Sequence, residues 1–215
     1  MDNNGNIVVR IVAAYRSPII RLYVRIRFHI LRQRFLEEIG QYLPERGAVL
    51  DIGCGFGLFS LYFASGKPNA QFEGFDLNRR RILEAQQAAA TLGICNVRYE
   101  EGNASSLLIS KRYDAIYMLD IVHHIPENAV EPLIKIIHQS LTENGILLIK
   151  DIDTKPIYKR WFTWWLDKLM DPSTPVHYWS SRKLMALLTA HGFTVRRHHM
   201  VDYLPYPHIL YICRK

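Results

Sequence analysis

A glycine-rich turn that directly follows an apolar run is the feature that most constrains the fold of this chain. The run AVLDIG covers residues 48–53, and Gly53, Gly55 and Gly57 stand at alternate positions before a helical segment at 58–64. A short apolar run bounded by turn residues is typical of a buried strand, and glycines let the backbone bend sharply away from it. The pattern predicts a strand, a tight turn and a helix in succession.

The same alternation of strand and helix continues toward the carboxyl terminus. Further strands are predicted at 71–77, 97–102, 113–120, 146–152, 193–201 and 208–213, and further helices at 79–92, 129–141 and 182–191. Gly93 and Gly192 follow two of these helices, where glycine commonly ends a helix. The alternation predicts an α/β fold with a doubly wound, mainly parallel sheet of seven strands.

The length of 215 residues, with 49% hydrophobic residues, suits one domain with a full core and is short for two. Within that single domain, 1–215, we expect an arginine-rich helical arm at 1–42 and a core at 43–153 around the glycine turn. An aromatic segment at 154–179 and a last helix with two strands at 180–215 would complete it. No run of apolar residues is long enough to span a membrane, and no signal-peptide pattern opens the sequence. The three scattered cysteines indicate neither a disulfide framework nor a zinc site, which favours the cytoplasm.

The amino-terminal arm has an unusual charge distribution. Seven arginines precede Glu37, which is the first acidic residue after Asp2. Pro18 suits the first turn of a helix. The helix would carry an apolar stripe of Ile19, Leu22, Ile26 and Ile30, flanked by arginines at 21, 25 and 32 and at 16, 27 and 34. The helix either packs over the core with its arginines in solvent, or faces an anionic partner such as a membrane surface, an acidic carrier protein or RNA.

The residues around the glycines limit what the turn can hold. No lysine followed by serine or threonine comes after them, as a nucleotide-hydrolysing loop would need. The spacing GxGxG is one residue shorter than the dinucleotide-binding pattern, and Asp51 stands just before it. A carboxylate beside the turn repels a pyrophosphate and attracts a cationic group. The turn therefore favours a positively charged ligand.

The segment from Asp51 to Gly57, DIGCGFG, resembles the first motif of class I S-adenosylmethionine-dependent methyltransferases. The resemblance implies an enzyme with a Rossmann-like fold and S-adenosylmethionine as its cofactor. It also implies that Asp51 and the glycines at 53, 55 and 57 bind that cofactor. The similarity covers residues 47–153 well and the last strands by topology alone.

Further residues match the family's cofactor site. Asp76 stands nineteen residues after Gly57, where the family has an acid that accepts both ribose hydroxyls. Asn103 occupies a position where the family commonly has an Asp that contacts the adenine amino group. The amide is a departure from that pattern, but its oxygen can still accept a hydrogen bond from the amino group. Leu77 and Ala104 are expected beside the faces of the adenine.

The segment MLDIVHHIPE at the end of the fourth strand is similar to the family's fourth motif. It offers Asp120, His123 and His124 as candidate catalytic residues. Adjacent histidines point in different directions in regular structure, so we expect at most one as a general base. The alternative is a histidine that only packs and bonds within the protein. A base is required when the acceptor is a hydroxyl or a protonated amine.

An aromatic segment holds all four tryptophans, at 161, 164, 165 and 179. It follows the fifth strand, at the sheet edge where ligands bind in such folds, and would form a substrate lid inserted there. Its candidate substrate-binding residues are Trp161, Trp165, His177 and Tyr178. Ordinary buried packing is the alternative for the tryptophans. As a lid, the segment favours an apolar, aromatic or lipid-like acceptor.

Taken together, these observations predict methyl transfer from S-adenosylmethionine to a small or lipidic acceptor, with O-methylation ahead of C- and N-methylation. The acceptor could be presented by an acidic carrier protein or at the inner face of a membrane. An RNA methyltransferase is an alternative, although no Asn/Asp-Pro-Pro-aromatic motif follows the fourth strand and nucleic acid is not the expected partner. A membrane-surface binding module without catalysis and a nicotinamide-dependent dehydrogenase also stay open at this point. The histidines lack metal-ligand spacing, so no metal is predicted.

Overall fold

The computed structural model describes residues 3–31, 33–106, 109, 111–152, 177, 179–199 and 208–215. The chain divides into two compact units. The first comprises Met1–Ala104 and Tyr113–Ala115, and the second comprises Ser105–Arg112 and Ile116–Lys215. Each unit is described by itself below.

The first unit begins with three helices and continues as strands that alternate with helices. Its elements are α1 (Asn3–Ala14), α2 (Pro18–Ile30), α3 (Gln33–Gly40), β1 (Gly47–Ile52), α4 (Leu58–Gly66), β2 (Ala70–Asp76), α5 (Arg79–Leu92) and β3 (Val97–Glu101). Strand β1 pairs in parallel with β2, and β2 pairs in parallel with β3. Parallel neighbours need a crossover between them, which α4 and α5 provide.

Local sequence explains the ends of α5. The side chain of Asn78 accepts hydrogen bonds from the backbone N–H groups of Arg80 and Arg81, as a helix N-cap does. Gly93 ends the helix in the left-handed region at a φ of 68°, which confirms the predicted C-cap. Because Asn78 caps this helix, Asp76 is not its N-cap.

The second unit holds the rest of the sheet. Its elements are β4 (Tyr113–Leu119, whose first three residues belong to the first unit), α6 (Glu127–Ser140), β5 (Leu141–Ile152), α7 (Ser181–Ala190), β6 (Thr194–His199) and β7 (His208–Arg214). Strand β7 runs antiparallel to both β5 and β6. Short 3₁₀ turns lie at Ala104–Ser106 and Val122–His124.

The strands form a seven-stranded sheet in the order β3-β2-β1-β4-β5-β7-β6. This confirms the predicted α/β fold with a mainly parallel sheet of seven strands. The division into a single domain with an arm, a core and a lid stays a prediction. Of the aromatic segment 154–179, His177 and Trp179 are among the described residues, and the rest lies outside them.

The amino-terminal arm corrects one prediction. Helix α2 begins at Pro18 as expected, but its buried residues are Ile20, Val24 and Phe28. Three residues of the predicted apolar stripe, Ile19, Leu22 and Ile26, are 80%, 58% and 47% exposed, so the alternative in which this stripe packs over the core is wrong. Both sets recur at intervals of three or four residues, so spacing alone could not choose between the two faces. Helix α1 lies within the predicted helical arm 1–42, although no separate helix before Pro18 was predicted.

Within the described residues, no helix is long and apolar enough to cross a lipid bilayer.

Candidate functional site

The glycine-rich turn of the first unit is held by bonds to the end of β2. The backbone N–H groups of Gly53 and Cys54 both donate to the carbonyl of Phe75, at 2.7 and 2.9 Å. The glycines at 53, 55 and 57 have φ values of 80°, 57° and 75°. Residues with a side chain rarely adopt this left-handed backbone conformation, so the turn requires glycine at each of these positions.

The glycines at 55 and 57 differ in what surrounds them. A Cβ atom added at Gly55 would find nothing within 4 Å, so the backbone there borders open space. A Cβ added at Gly57 would lie 2.6 Å from the hydroxyl of Tyr99 and 2.9 Å from Cβ of Ala85. Gly55 therefore leaves bare main chain for a ligand, whereas Gly57 lets the turn pack closely against the protein.

Asp76 lies at the end of β2 beside this turn. One carboxylate oxygen accepts from the N–H of Gly55 at 2.9 Å, and the other accepts from the N–H of Asn78 at 2.8 Å. The two oxygens of a carboxylate offer about four acceptor positions, so two backbone donors leave capacity for two hydroxyls. These bonds fix the carboxylate next to the bare main chain at Gly55.

Two carboxylates give the turn a negative electrostatic potential. Burial, and then the carboxylates of Asp51 and Asp76, raise the pKa of the Cys54 thiol well above its ordinary value. A negative potential that disfavours a thiolate favours a cation, because both effects have the same electrostatic origin. Asp51 itself is buried near the end of β1, at 3% exposure.

The remaining predicted cofactor residues follow the ends of β2 and β3. Leu77 directly follows Asp76 and is 67% exposed, which is unusual for a large aliphatic side chain. The N–H of Gly102 donates to the carbonyl of Asp76 at 3.1 Å, which joins the ends of the two strands. Asn103 is exposed and Ala104 is half-buried directly after this bond. The structure thus places Leu77, Asn103 and Ala104 at the joined ends of β2 and β3, where Asp76 also lies.

The amino-terminal arm also contacts the turn, which sequence reasoning missed. The hydroxyl of Tyr15 donates to the carbonyl of Phe56 at 2.7 Å. The ring of Phe56 meets the rings of Tyr15 and Tyr23 edge-on, at centroid distances of 6.4 and 5.4 Å. The arm therefore packs directly on the glycine turn.

The second unit holds a buried cluster around Lys150. The Lys150 ammonium donates to both carboxylate oxygens of Asp120, at 2.6 and 2.7 Å, and contacts Nε2 of His208 at 2.9 Å. An ammonium has only donors, so Nε2 of His208 accepts and its proton lies on Nδ1. Lys150 is fully buried, and its charge is balanced by the carboxylate. Asp120 has a φ of 58°, a left-handed conformation uncommon for residues other than glycine.

His123 forms a second buried pair in the same unit. Its Nδ1 lies 2.5 Å from one oxygen of Asp151, and its backbone N–H donates to the other oxygen at 3.1 Å. His123 and Asp151 are 2% and 5% exposed. A carboxylate that accepts from Nδ1–H leaves Nε2 as the basic nitrogen of the ring. The pair therefore has the arrangement of an oriented general base.

The other predicted residues of this region have different environments. The rings of His123 and His124 lie 4.1 Å apart in the 3₁₀ turn, so the expectation that adjacent histidines point apart is wrong here. His177 is exposed, and its N–H donates to the carbonyl of His123 at 2.6 Å. Trp161, Trp165 and Tyr178 lie outside the described residues, and their predicted contacts with a substrate stay predictions.

Sequence reasoning missed Lys150, Asp151 and His208. The first two were visible as a charged pair inside the apolar run ILLIKDI, which a buried strand holds only with partners. Their partners are about thirty or more residues away, so the sequence did not show them. Among the described residues, no group of three His, Cys, Asp or Glu side chains could hold a metal ion.

Comparison with known proteins shows the family to which the chain belongs. The family model described as a methyltransferase domain matches residues 23–198. This chain belongs to the methyltransferase domain family. The match confirms the predicted resemblance and, with it, the predicted enzyme class and methyl donor.

Relatives of this methyltransferase domain act on different acceptors. It is 34% identical over 95 residues to a tRNA (guanine-N(7)-)-methyltransferase of Nostoc, covering 40% of this chain and 43% of that protein. It is 27% identical over 107 residues to (S)-tetrahydroprotoberberine N-methyltransferase of Eschscholzia californica, covering 50% of this chain and 30% of that one. The chain spans less than half the length of these curated relatives.

The fold of the methyltransferase domain is shared with solved structures. A S-adenosylmethionine-dependent methyltransferase of Methanosarcina mazei superposes with a TM-score of 0.65 at 24% identity, over 83% of this chain and 96% of that one. At this identity the likeness concerns the fold alone.

The turn of this methyltransferase domain fits S-adenosylmethionine. Bare main chain at Gly55 can approach a ligand, the Asp76 carboxylate has acceptor capacity for a vicinal diol, and the carboxylates near Cys54 favour a sulfonium cation. Exposed Leu77 offers an apolar surface suited to an adenine face. These residues would hold the methyl donor.

Proposed function

We propose that this protein transfers the methyl group of S-adenosylmethionine to a hydroxyl or amine group of a small, apolar or lipid-like acceptor. Family membership supports methyl transfer, and one observation carries the type of acceptor. That observation is the buried pair of His123 and Asp151, in which the carboxylate orients the ring and leaves Nε2 basic. A general base is needed for an acceptor that must lose a proton, so the pair favours O–H and N–H acceptors.

The protein's own residues would then act as follows. The Asp76 carboxylate and the main chain at Gly55 bind and orient the donor, which supplies a methyl carbon on a positively charged sulfur. Nε2 of His123 takes the acceptor's proton, and Asp151 stabilises the resulting imidazolium charge. Positioning of the two reactants alone can lower the barrier by about 7–11 kcal/mol. The base would add about 10²–10⁴ in rate.

The composition of segment 154–179 supports an apolar acceptor, because it concentrates four tryptophans in one stretch. The similarity to the (S)-tetrahydroprotoberberine and (S)-coclaurine N-methyltransferases supports an amine nitrogen as the acceptor atom. The sequence-based preference for O-methylation stays a prediction.

The test is incorporation of labelled methyl groups from S-adenosylmethionine into pools of hydroxylated aromatics, aromatic amines and a lipid extract. His123→Gln is expected to lower the rate on the labelled pool by about 10²–10⁴ without changing donor binding. His198→Gln, at an exposed position on β6, is the matched control. Equal rates for wild type and His123→Gln would rule out His123 as the base.

A second candidate acceptor is transfer RNA, which is favoured by the 34% identity to the Nostoc tRNA methyltransferase. The sequence-based expectation that nucleic acid is not the partner has no support from this comparison. Total tRNA therefore belongs in the same experiment. Label in tRNA and none in the small-molecule and lipid pools would replace the first proposal with the second.

A further inference from the structure

Helix α2 is apolar on two opposite faces. Ile20, Val24 and Phe28 are buried, which accounts for its attachment to the protein. Ile19, Leu22 and Ile26 lie on the outward face, and we call them the outer stripe. On α1, Val9 is 67% exposed as well. Exposed aliphatic side chains grouped along one helix indicate contact with an apolar partner.

A groove lies between α1 and α2; its lining includes none of the outer-stripe residues, but it includes Arg21 and Arg25, which directly precede Leu22 and Ile26 in the chain. Its volume is about 440 Å³. Its lining includes Val8, Val9 and Val12 from α1 and Arg21, Arg25 and Phe28 from α2. The groove thus combines aliphatic side chains with two exposed arginine residues.

The segment that forms α1 and α2 carries charges of one sign. No acidic residue occurs between positions 3 and 36, whereas seven arginines do. The side chain of Arg21 is held by a bond from Nε to the carbonyl of Tyr15 at 2.5 Å, which fixes one positive charge at the groove. An unbalanced positive edge attracts an anionic partner.

We propose that the outer stripe and the groove form a docking surface for an anionic lipid bilayer. The aliphatic side chains would enter below the headgroups, while Arg21 and Arg25 would meet lipid phosphates. Amphipathic helices with basic edges bind membranes in this way, with the apolar face buried by about 5–10 Å. Such a bilayer satisfies both the aliphatic stripe and the positive edge.

Two other occupants match the surface less well. A second copy of this chain would bring arginine edges of like charge together. An acidic carrier protein would match the charge and leave the three aliphatic side chains of the outer stripe without an apolar partner. The bilayer is therefore the occupant that the observations favour.

The docking surface is connected to the glycine turn through α2. Tyr23 of this helix contacts Phe56 of the turn, at a centroid distance of 5.4 Å. Helix α2 thus contacts the donor-binding turn through Tyr23 and carries the proposed bilayer surface on its exposed side.

The experiment is flotation of the purified full chain with vesicles of phosphatidylcholine alone or mixed with phosphatidylglycerol. The wild type is expected to float with the anionic vesicles and to remain below with the neutral ones. Arg21→Gln/Arg25→Gln should weaken binding by about 25-fold, from about fivefold for each charge. Ile19→Ser/Leu22→Ser/Ile26→Ser should abolish flotation.

Matched controls carry the same changes elsewhere on the exposed surface. Leu83→Ser on α5 and Arg98→Gln/Arg196→Gln on β3 and β6 should float as the wild type does. Donor binding, measured by calorimetry, should be unchanged in every variant, so the docking proposal and the methyltransferase proposal can fail separately.

Three outcomes would overturn the proposal. The first is flotation of the outer-stripe variant at the wild-type level. The second is binding that is equal on neutral and anionic vesicles. The third is a wild-type protein that does not float and is a dimer in gel filtration, while the outer-stripe variant is a monomer. That result would make a second copy the occupant.

Discussion

The glycine turn of the first unit and the Lys150 cluster of the second are both polar features at strand ends, but they are built in different ways. The turn is encoded within one short stretch and tied to Asp76 about twenty residues on. The cluster joins Asp120, Lys150 and His208 over separations of 30 and 58 residues. The first feature was predictable from a single motif, and the second appeared only when distant strands paired.

The difference also separates function from stability. The turn keeps bare main chain and spare acceptor capacity, as a binding site requires. In the cluster, a fully buried lysine has its positive charge matched by a carboxylate, as a protein interior requires. Substitutions at Gly55 and Asp76 should therefore act mainly on ligand binding, and substitutions in the cluster should act mainly on the free energy of unfolding.

The largest effect is expected from Lys150→Met. Removing the fully buried lysine leaves the half-buried Asp120 carboxylate without its counter-charge, for a cost of up to about 3–5 kcal/mol. Urea denaturation should show a fall of this size in the free energy of unfolding. Lys135→Met, at an exposed lysine of α6, is the control and should change little. A fall below about 1 kcal/mol in Lys150→Met would mean that the cluster is not a stabilising network.

Gly57→Ala should have the next largest effect on the free energy of unfolding. The added Cβ would lie 2.6 Å from the Tyr99 hydroxyl in a left-handed backbone, for a cost of about 2–4 kcal/mol. Gly55→Ala has the same type of backbone and open space, so it should cost about 1 kcal/mol. Calorimetry should show weaker donor binding for Gly55→Ala, whose methyl group enters that space. Equal unfolding free energies for the two variants would contradict the packing role of Gly57.

Asp76→Ala tests the role of the turn in binding the donor. Hydrogen bonds to a charged group contribute about 1.5–3 kcal/mol, so donor affinity should fall by about 10- to 100-fold. Asn78→Ala removes the neighbouring helix cap and keeps the carboxylate, at a cost of about 1 kcal/mol in stability. If both variants bind the donor alike, the ribose contact assigned to Asp76 is wrong.

The smallest effect concerns pH. Burial, and then the positive charges of Lys215 and His191, lower the pKa of His138 below its ordinary value of 6.5. The unfolded chain therefore binds a proton first as the pH falls below about 6.5, and stability decreases in that window. His138→Gln should flatten the unfolding free energy between pH 7 and 5 relative to wild type, with His199→Gln as control. A steeper slope in His138→Gln would reverse the assigned direction.

The sequence by itself determined the order of the strands and helices from β1 onward, the glycine turn and the residues that follow β2. These depend on period, turn chemistry and short spacing, which act within about twenty residues. Gly93 ended α5 where expected, since a left-handed C-cap depends on one residue. The position of Asp76 relative to the glycines was likewise readable from linear spacing.

The tertiary structure alone decided which side of α2 is buried and which partners satisfy Lys150 and His123. Ile19 and Ile20 are equally apolar, and packing against the rest of the protein chose Ile20. Asp151 could orient His123 only after the end of β5 and the 3₁₀ turn at Val122–His124 were brought side by side. A linear pattern records the type of each side chain, but the charge and apolar area that it meets depend on chain segments far away in sequence.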